Sequence, residues 1–189
     1  MSRILRPLLA MSSLCAVFRT GAPVGAQEPV YPTPEEVEAA ETAPLFTSHE
    51  IFQITLTADF HAMRREDRSD EDSEERPARL EWTGPHGSTG TQEIQIQTRG
   101  NFRLSRKNCD FPPLRLNVKK GEVEGTLFQG QDKLKVVSPC KLGQDYWQQY
   151  VLSEYLVYRM YNLLTPLSFR ARLAEVTYVD QSGEDDTFT

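Results

Sequence analysis

The spacing of apolar residues changes once along this chain, and that change sets the class of fold open to it. Before residue 145 the apolar positions alternate in short runs. Phe52, Ile54, Leu56, Ala58 and Phe60 recur with a period of two, as a half-buried strand requires. Leu80 and Trp82 begin a second run, residues 84–90 have the composition of a turn, and Ile94, Ile96 and Thr98 form the return. Residues 78–99 therefore read as a hairpin. Leu114, Leu116 and Val118 make another strand after Pro112-Pro113, and residues 133–138 a further short one. From 145 to 164 the steps become three and four, through Trp147, Tyr150, Val151, Glu154, Tyr155, Tyr158, Tyr161 and Leu164. With no internal Gly or Pro, this predicts one long helix, ended by Thr165-Pro166. Residues 173–179 supply the last strand. The expected fold is α+β, a mostly antiparallel sheet of about five or six strands with the helix packed on one face. Tyr150, Val151, Tyr155 and Tyr158 are expected to be largely buried on one stripe with Trp147.

The N-terminus points to export. Arg3 and Arg6 precede an apolar run from residue 7 to residue 18, and Val24-Gly25-Ala26 offers the small residues of a cleavage site, so residues 1–26 read as a signal peptide. Arg19 is a departure from that pattern. The run is shorter than the roughly 20 apolar residues a membrane span needs. Residues 27–44 carry Pro29, Pro32, Pro34 and Pro44 among five glutamates and read as a disordered acidic linker, with 35–43 able to form a transient helix. Residues 45–189 form the expected α+β domain. The whole chain has 21 Lys plus Arg against 27 Asp plus Glu; removing three arginines with the signal leaves 18 against 27, a net of −9. That balance argues against nucleic acid as a partner. Cleavage also removes Cys15, and the remaining pair, Cys109 and Cys140, reads as a disulfide in a periplasmic or extracellular protein. Scattered His49, His61 and His86 and the lack of Cys-x-x-Cys argue against a metal site.

No catalytic nucleophile constellation and no phosphate-binding Walker loop is visible. The charge run of residues 64–76 lacks the Gly and terminal Glu that would make a calcium loop of Asp70 and Asp72, and reads as a solvated loop. Three pieces remain. Arg99-Gly100-Asn101-Phe102-Arg103, with Lys107 beyond it, places a glycine among cations at a strand end, where amides and bases can approach a phosphate. An ordinary turn with solvated bases is the alternative. Lys133 and Lys135 lie on a strand, and Glu154 lies in the following helix. A strand Lys oriented by a helix Glu is the kinase arrangement for nucleotide phosphates.

Arg99-Gly100-Asn101, Lys107, the alternating Leu114-Arg115-Leu116, Lys133-Leu134 and a long helix ending before Ser168-Phe169-Arg170 together resemble the N-terminal half of the spore-coat protein H (CotH) kinase-like family, over about residues 94–179. The resemblance implies a kinase N-lobe-like fold and, for a complete protein, ATP and a divalent metal such as magnesium. The nucleotide-binding residues it implies are Arg99, Gly100, Asn101, Lys107, Lys133, Lys135 and Glu154. The family places its acceptor-positioning carboxylate and metal-holding groups in a C-terminal lobe, whereas this chain stops at Thr189. The expectation is a domain truncated at the C-terminus, inactive alone, with the missing lobe as a partner. No residue is assigned a catalytic role. A secreted binding or structural domain without a nucleotide site is the competing expectation.

Overall fold

A computed structural model describes residues 31–65, 73–84 and 87–189. The expected signal peptide, residues 1–26, and the Asp70–Asp72 stretch lie outside the described residues. The alternating segments become strands β1 (Phe52–Ala58), β2 (Arg76–Thr83), β3 (Thr89–Thr98), β4 (Leu114–Asn117) and β5 (Lys133–Val136). Three helices accompany them: α1 (Pro34–Thr42), α2 (Phe60–Arg65) and α3 (Asp145–Leu164). The last strand is β6 (Ala174–Asp180).

The class is α+β, with six strands in the order β5-β4-β3-β2-β1-β6. The sheet is curled and mixed, which corrects the mostly antiparallel expectation. Strands β1 to β5 run as an antiparallel meander, but β6 pairs parallel to β1, with Phe52 opposite Ala174 and Ala58 opposite Asp180. The cause is the crossover. α3 leaves one edge strand, β5, and delivers the chain to the opposite edge, and parallel neighbours require such a connection. Alternation reveals that a strand exists, not which neighbour it takes.

One face of the sheet is the core. Leu56, Leu80, Ile94, Ile96, Leu114 and Leu116 are almost wholly buried on it. An aromatic group of Phe60, Phe111, Tyr178 and Phe188 closes one end, with centroids 4.8–5.9 Å apart. Burial pushes the Tyr178 phenol up. Trp82 stands edge-on to Phe128 at 5.0 Å and directly opposite Gly90. A Cβ on Gly90 would lie 2.1 Å from the indole, so only glycine fits there.

Within residues 27–44, where the sequence allows a helix over 35–43, the described residues form α1. Thr33 Oγ1 accepts from the Glu36 N–H (3.2 Å) while the Glu36 carboxylate accepts from the Thr33 N–H (2.8 Å), a capping box that starts the helix. Glu41 then pairs with Arg170 at 2.8 Å. Cys109 and Cys140 are bonded, with Cα atoms 4.6 Å apart across a separation of 31 residues. Closing that loop contributes about 3–4 kcal/mol in the chain-entropy model.

The helix expected over 145–164 is α3, but its burial differs from expectation. No residue of α3 is fully buried. Trp147, Val151, Tyr155 and Tyr158 are half-buried, and Tyr150 is 53% exposed. The physical reason is angular: at 3.6 residues per turn, positions 150 and 155 lie about 140° apart and cannot share a stripe. Tyr150 falls instead with Tyr146 and Val157 on the side away from the sheet, all exposed. Among the described residues no helix is long and apolar enough to cross a membrane.

Candidate functional site

Because α3 connects the two edge strands, it spans the open side of the curled sheet, and a cleft of about 870 Å³ lies beneath it. Its walls are apolar core positions near the open side, among them Phe52, Ile54, Leu116 and Val176. The helix contributes Val151, Tyr155 and Tyr158, and the segment between α3 and β6 contributes Phe169, Arg170 and Arg172. Lys133, Lys135 and Glu154, three of the residues expected from sequence, line the same cleft.

Three of the cations in it are engaged. The Lys135 ammonium lies 4.6 Å from the centre of the Phe169 ring. Arg172 donates to the Leu45 and Glu50 carbonyls, both at 3.1 Å, and its guanidinium lies over the Phe52 ring at 4.5 Å. Burial lowers the Arg172 pKa, against the opposing pull of Glu50 and Tyr155. Arg170 donates to Glu41 through Nη2, and its buried Nε has no acceptor among the described residues. Basic side chains thus outnumber acidic ones around the cleft, and three aromatic rings, Tyr155, Tyr158 and Phe169, stand beside them.

The Arg-Gly-Asn turn is built next to this site rather than in it. Gly100 takes φ +95°, a left-handed conformation that favours glycine, and the Arg99 N–H donates to the Pro113 carbonyl at 3.0 Å. This reverses the chain after β3 and leads into a one-turn 3-10 helix, Phe102–Leu104. Arg103 donates through Nη2 to the Ser138 carbonyl. Burial lowers the Arg103 pKa, the Glu154 carboxylate opposes that effect, and Arg99 adds to it. Neither Lys133 nor Lys135 forms an ion pair with Glu154 within 4.0 Å, so the expected strand-lysine to helix-glutamate contact is not made. The disulfide holds this arrangement, because it joins the end of the Arg-Gly-Asn loop to the segment that precedes α3. The Asp110 N–H donates to the Cys140 carbonyl (2.9 Å), and Lys141 pairs with Asp110 (3.0 Å) alongside it.

Sequence reasoning thus names residues that fall into two neighbouring groups. Lys133, Lys135 and Glu154 share the cleft. Arg99, Gly100 and Asn101 belong to the neighbouring turn and do not line the cleft. Lys107 is exposed further along the loop and lines no part of it. Arg103, Arg170 and Arg172 were missed. Arg103 lies inside the quoted motif, and the Arg-x-Arg of 170–172 between helix and strand was the available signal for the other two. Compared with known protein families, curated proteins and solved structures, the chain shows no match to any of them.

Proposed function

We propose that this chain is an exported domain that binds a nucleotide beneath α3, in the manner of the N-terminal lobe of the CotH kinase-like family, and is inactive by itself. The observation that carries this reading is the convergence of Lys133, Lys135 and Glu154, residues separated by up to a strand, a loop and half a helix, on one cleft that also holds Arg170 and Arg172. Its volume lies in the range of small-molecule sites, about 300–1,000 Å³. Cations suit phosphates, and the rings of Tyr155, Tyr158 and Phe169 suit a base. Magnesium would neutralise phosphate charge in such a site. Among the described residues no group of three His, Cys, Asp or Glu stands close enough to hold a metal ion. In this reading the metal ligands and the acceptor-positioning carboxylate come from a second lobe. Export is supported by the tripartite N-terminal sequence and by the Cys109–Cys140 bond.

The competing reading, a secreted binding or structural domain with no nucleotide site, draws on the Lys135–Phe169 contact and on the missing Lys–Glu154 pair. Thermal unfolding with ATP and magnesium separates the two. A ligand present at a hundredfold excess over its Kd stabilises the folded state by about 2.7 kcal/mol. The nucleotide reading expects a rise in melting temperature that Lys133→Ala with Lys135→Ala removes. No rise at millimolar ATP and magnesium would sink it in favour of the second reading.

A further inference from the structure

A helix that covers one surface normally turns a polar side to water. α3 does not. Nine large apolar side chains of this helix are exposed, from 47% at Leu152 to 86% at Leu163, and most of them lie on the side away from the cleft. At about 200 Å² per such side chain, half or more of it open, the exposed apolar face is on the order of 900 Å². The largest apolar patch on a typical monomer is about 300–600 Å², whereas each partner in a standard protein interface contributes about 800 Å². The face is thus the size of an interface.

Its chemistry narrows the occupant. Of the three charged residues in α3, Asp145 is at the first turn, Glu154 lines the cleft, and Arg159 donates to His49 Nε2 at 3.0 Å. The middle of the outer face carries no charge, so it has nothing with which to select a charged partner and nothing to repel its own copy. It is also self-complementary when reversed. An antiparallel pairing centred between Leu156 and Val157 sets Leu156 of one copy on Val157 of the other. The same pairing places the bulky Met160 over the small Ser153, and the aromatic end at Tyr150 on the aliphatic end at Leu163. Large against small, and ring against branched chain, is how packed layers interdigitate.

We infer that the outer face of α3 is an isologous interface, and that the chain forms a two-fold dimer through antiparallel α3–α3 packing. The interface lies on the side of the helix opposite the cleft and does not rest on the nucleotide reading. Sedimentation equilibrium on the full chain, purified after export, is expected to show a dimer at about 10 µM. Leu156→Glu and Met160→Glu place a charge in the seam at positions exposed in the single chain. Each is expected to weaken the dimer at least about a hundredfold while leaving the far-UV spectrum unchanged. An uncharged test fixes the geometry: S153C mixed with M160C is expected to cross-link on oxidation. S153C alone is not, because the two-fold places its own copies about 10 Å apart along the axis, beyond disulfide reach. A wild-type chain that stays monomeric at about 100 µM overturns the inference. So does a dimer indifferent to both glutamate variants, or one that cross-links through S153C alone.

Discussion

Removing the carboxylate of Asp180 should cost the fold about 2.5 kcal/mol at neutral pH and almost nothing in strong acid. Asp180 ends β6, is 8% exposed, and accepts from the backbone N–H groups of His61 (2.9 Å), Glu184 (3.1 Å) and Asp185 (3.3 Å) and from the Ser182 hydroxyl. Burial alone would raise its pKa, but these donors outweigh burial and hold the carboxyl at about 2, below the ordinary 3.8. At about 1.4 kcal/mol per pH unit, that difference is worth about 2.5 kcal/mol. The folded state binds its proton less readily than the unfolded chain. The stabilisation is therefore complete above pH 4 or so, and is lost as pH falls through about 2. Asp180→Asn keeps the shape but faces an amide donor toward donors. Urea unfolding of both proteins between pH 7 and pH 2 measures the difference. The two curves should lie about 2.5 kcal/mol apart at pH 7 and converge near pH 2. A gap that is constant with pH would refute the titration, and a gap below about 0.5 kcal/mol at pH 7 would refute the network itself.

The disulfide gives a second test: Cys109→Ser with Cys140→Ser should lower unfolding free energy by about 3–4 kcal/mol. The intact protein should weigh about 2 Da less than its reduced form, and two free thiols in protein isolated without reductant would contradict the bond. The two sides of α3 give a third. Val151→Asp carries a charge under the helix into the cleft wall and should cost about 2 kcal/mol or more, whereas Tyr150→Asp, at a position 53% exposed, should change monomer stability by less than about 1 kcal/mol. Equal melting shifts for the two variants, measured below the dimer concentration, would mean the helix is rotated from the orientation described.

The parts of the fold that were legible were those written in local spacing. The bounds of α3 could be read because twenty residues hold one period without Gly or Pro. Strands β1 to β5 could be read from Phe52–Ala58 and its successors because one face is buried and the other wet. The helix α1 could be read only as a transient one over 35–43, because its prolines and glutamates have the composition of a linker although Thr33-Pro34-Glu35-Glu36 spells a capping box. The direction of β6 and its place beside β1 depend on where a crossover carries the chain, which no short window contains. For the same reason Glu154 could be paired with the strand lysines on paper. A cation that Glu154 does influence, Arg103, comes from a loop fifty residues earlier, placed by the turn at Gly100 and the Cys109–Cys140 bond.

The position of β6 governs the order in which the sheet can be finished. Gln53 on β1 bonds Glu175 on β6 across 122 residues, at 3.1 Å. As the chain emerges from its N-terminus, β1 to β5 can assemble by short-range pairing while the outer edge of β1 stays bare. Only the arrival of β6 covers it, after α3 has crossed the sheet. Closing so long a loop is slow relative to forming hairpins, so the last pairing should set the folding rate. Pulsed hydrogen exchange should find β1–β6 amides protected after those of β2–β3; simultaneous protection would contradict that order. Until then β1 presents an unpaired edge of seven residues with Phe52, Ile54 and Leu56 on one side, the kind of surface that recruits another strand. A chaperone that holds the unfinished sheet would have its use at that edge.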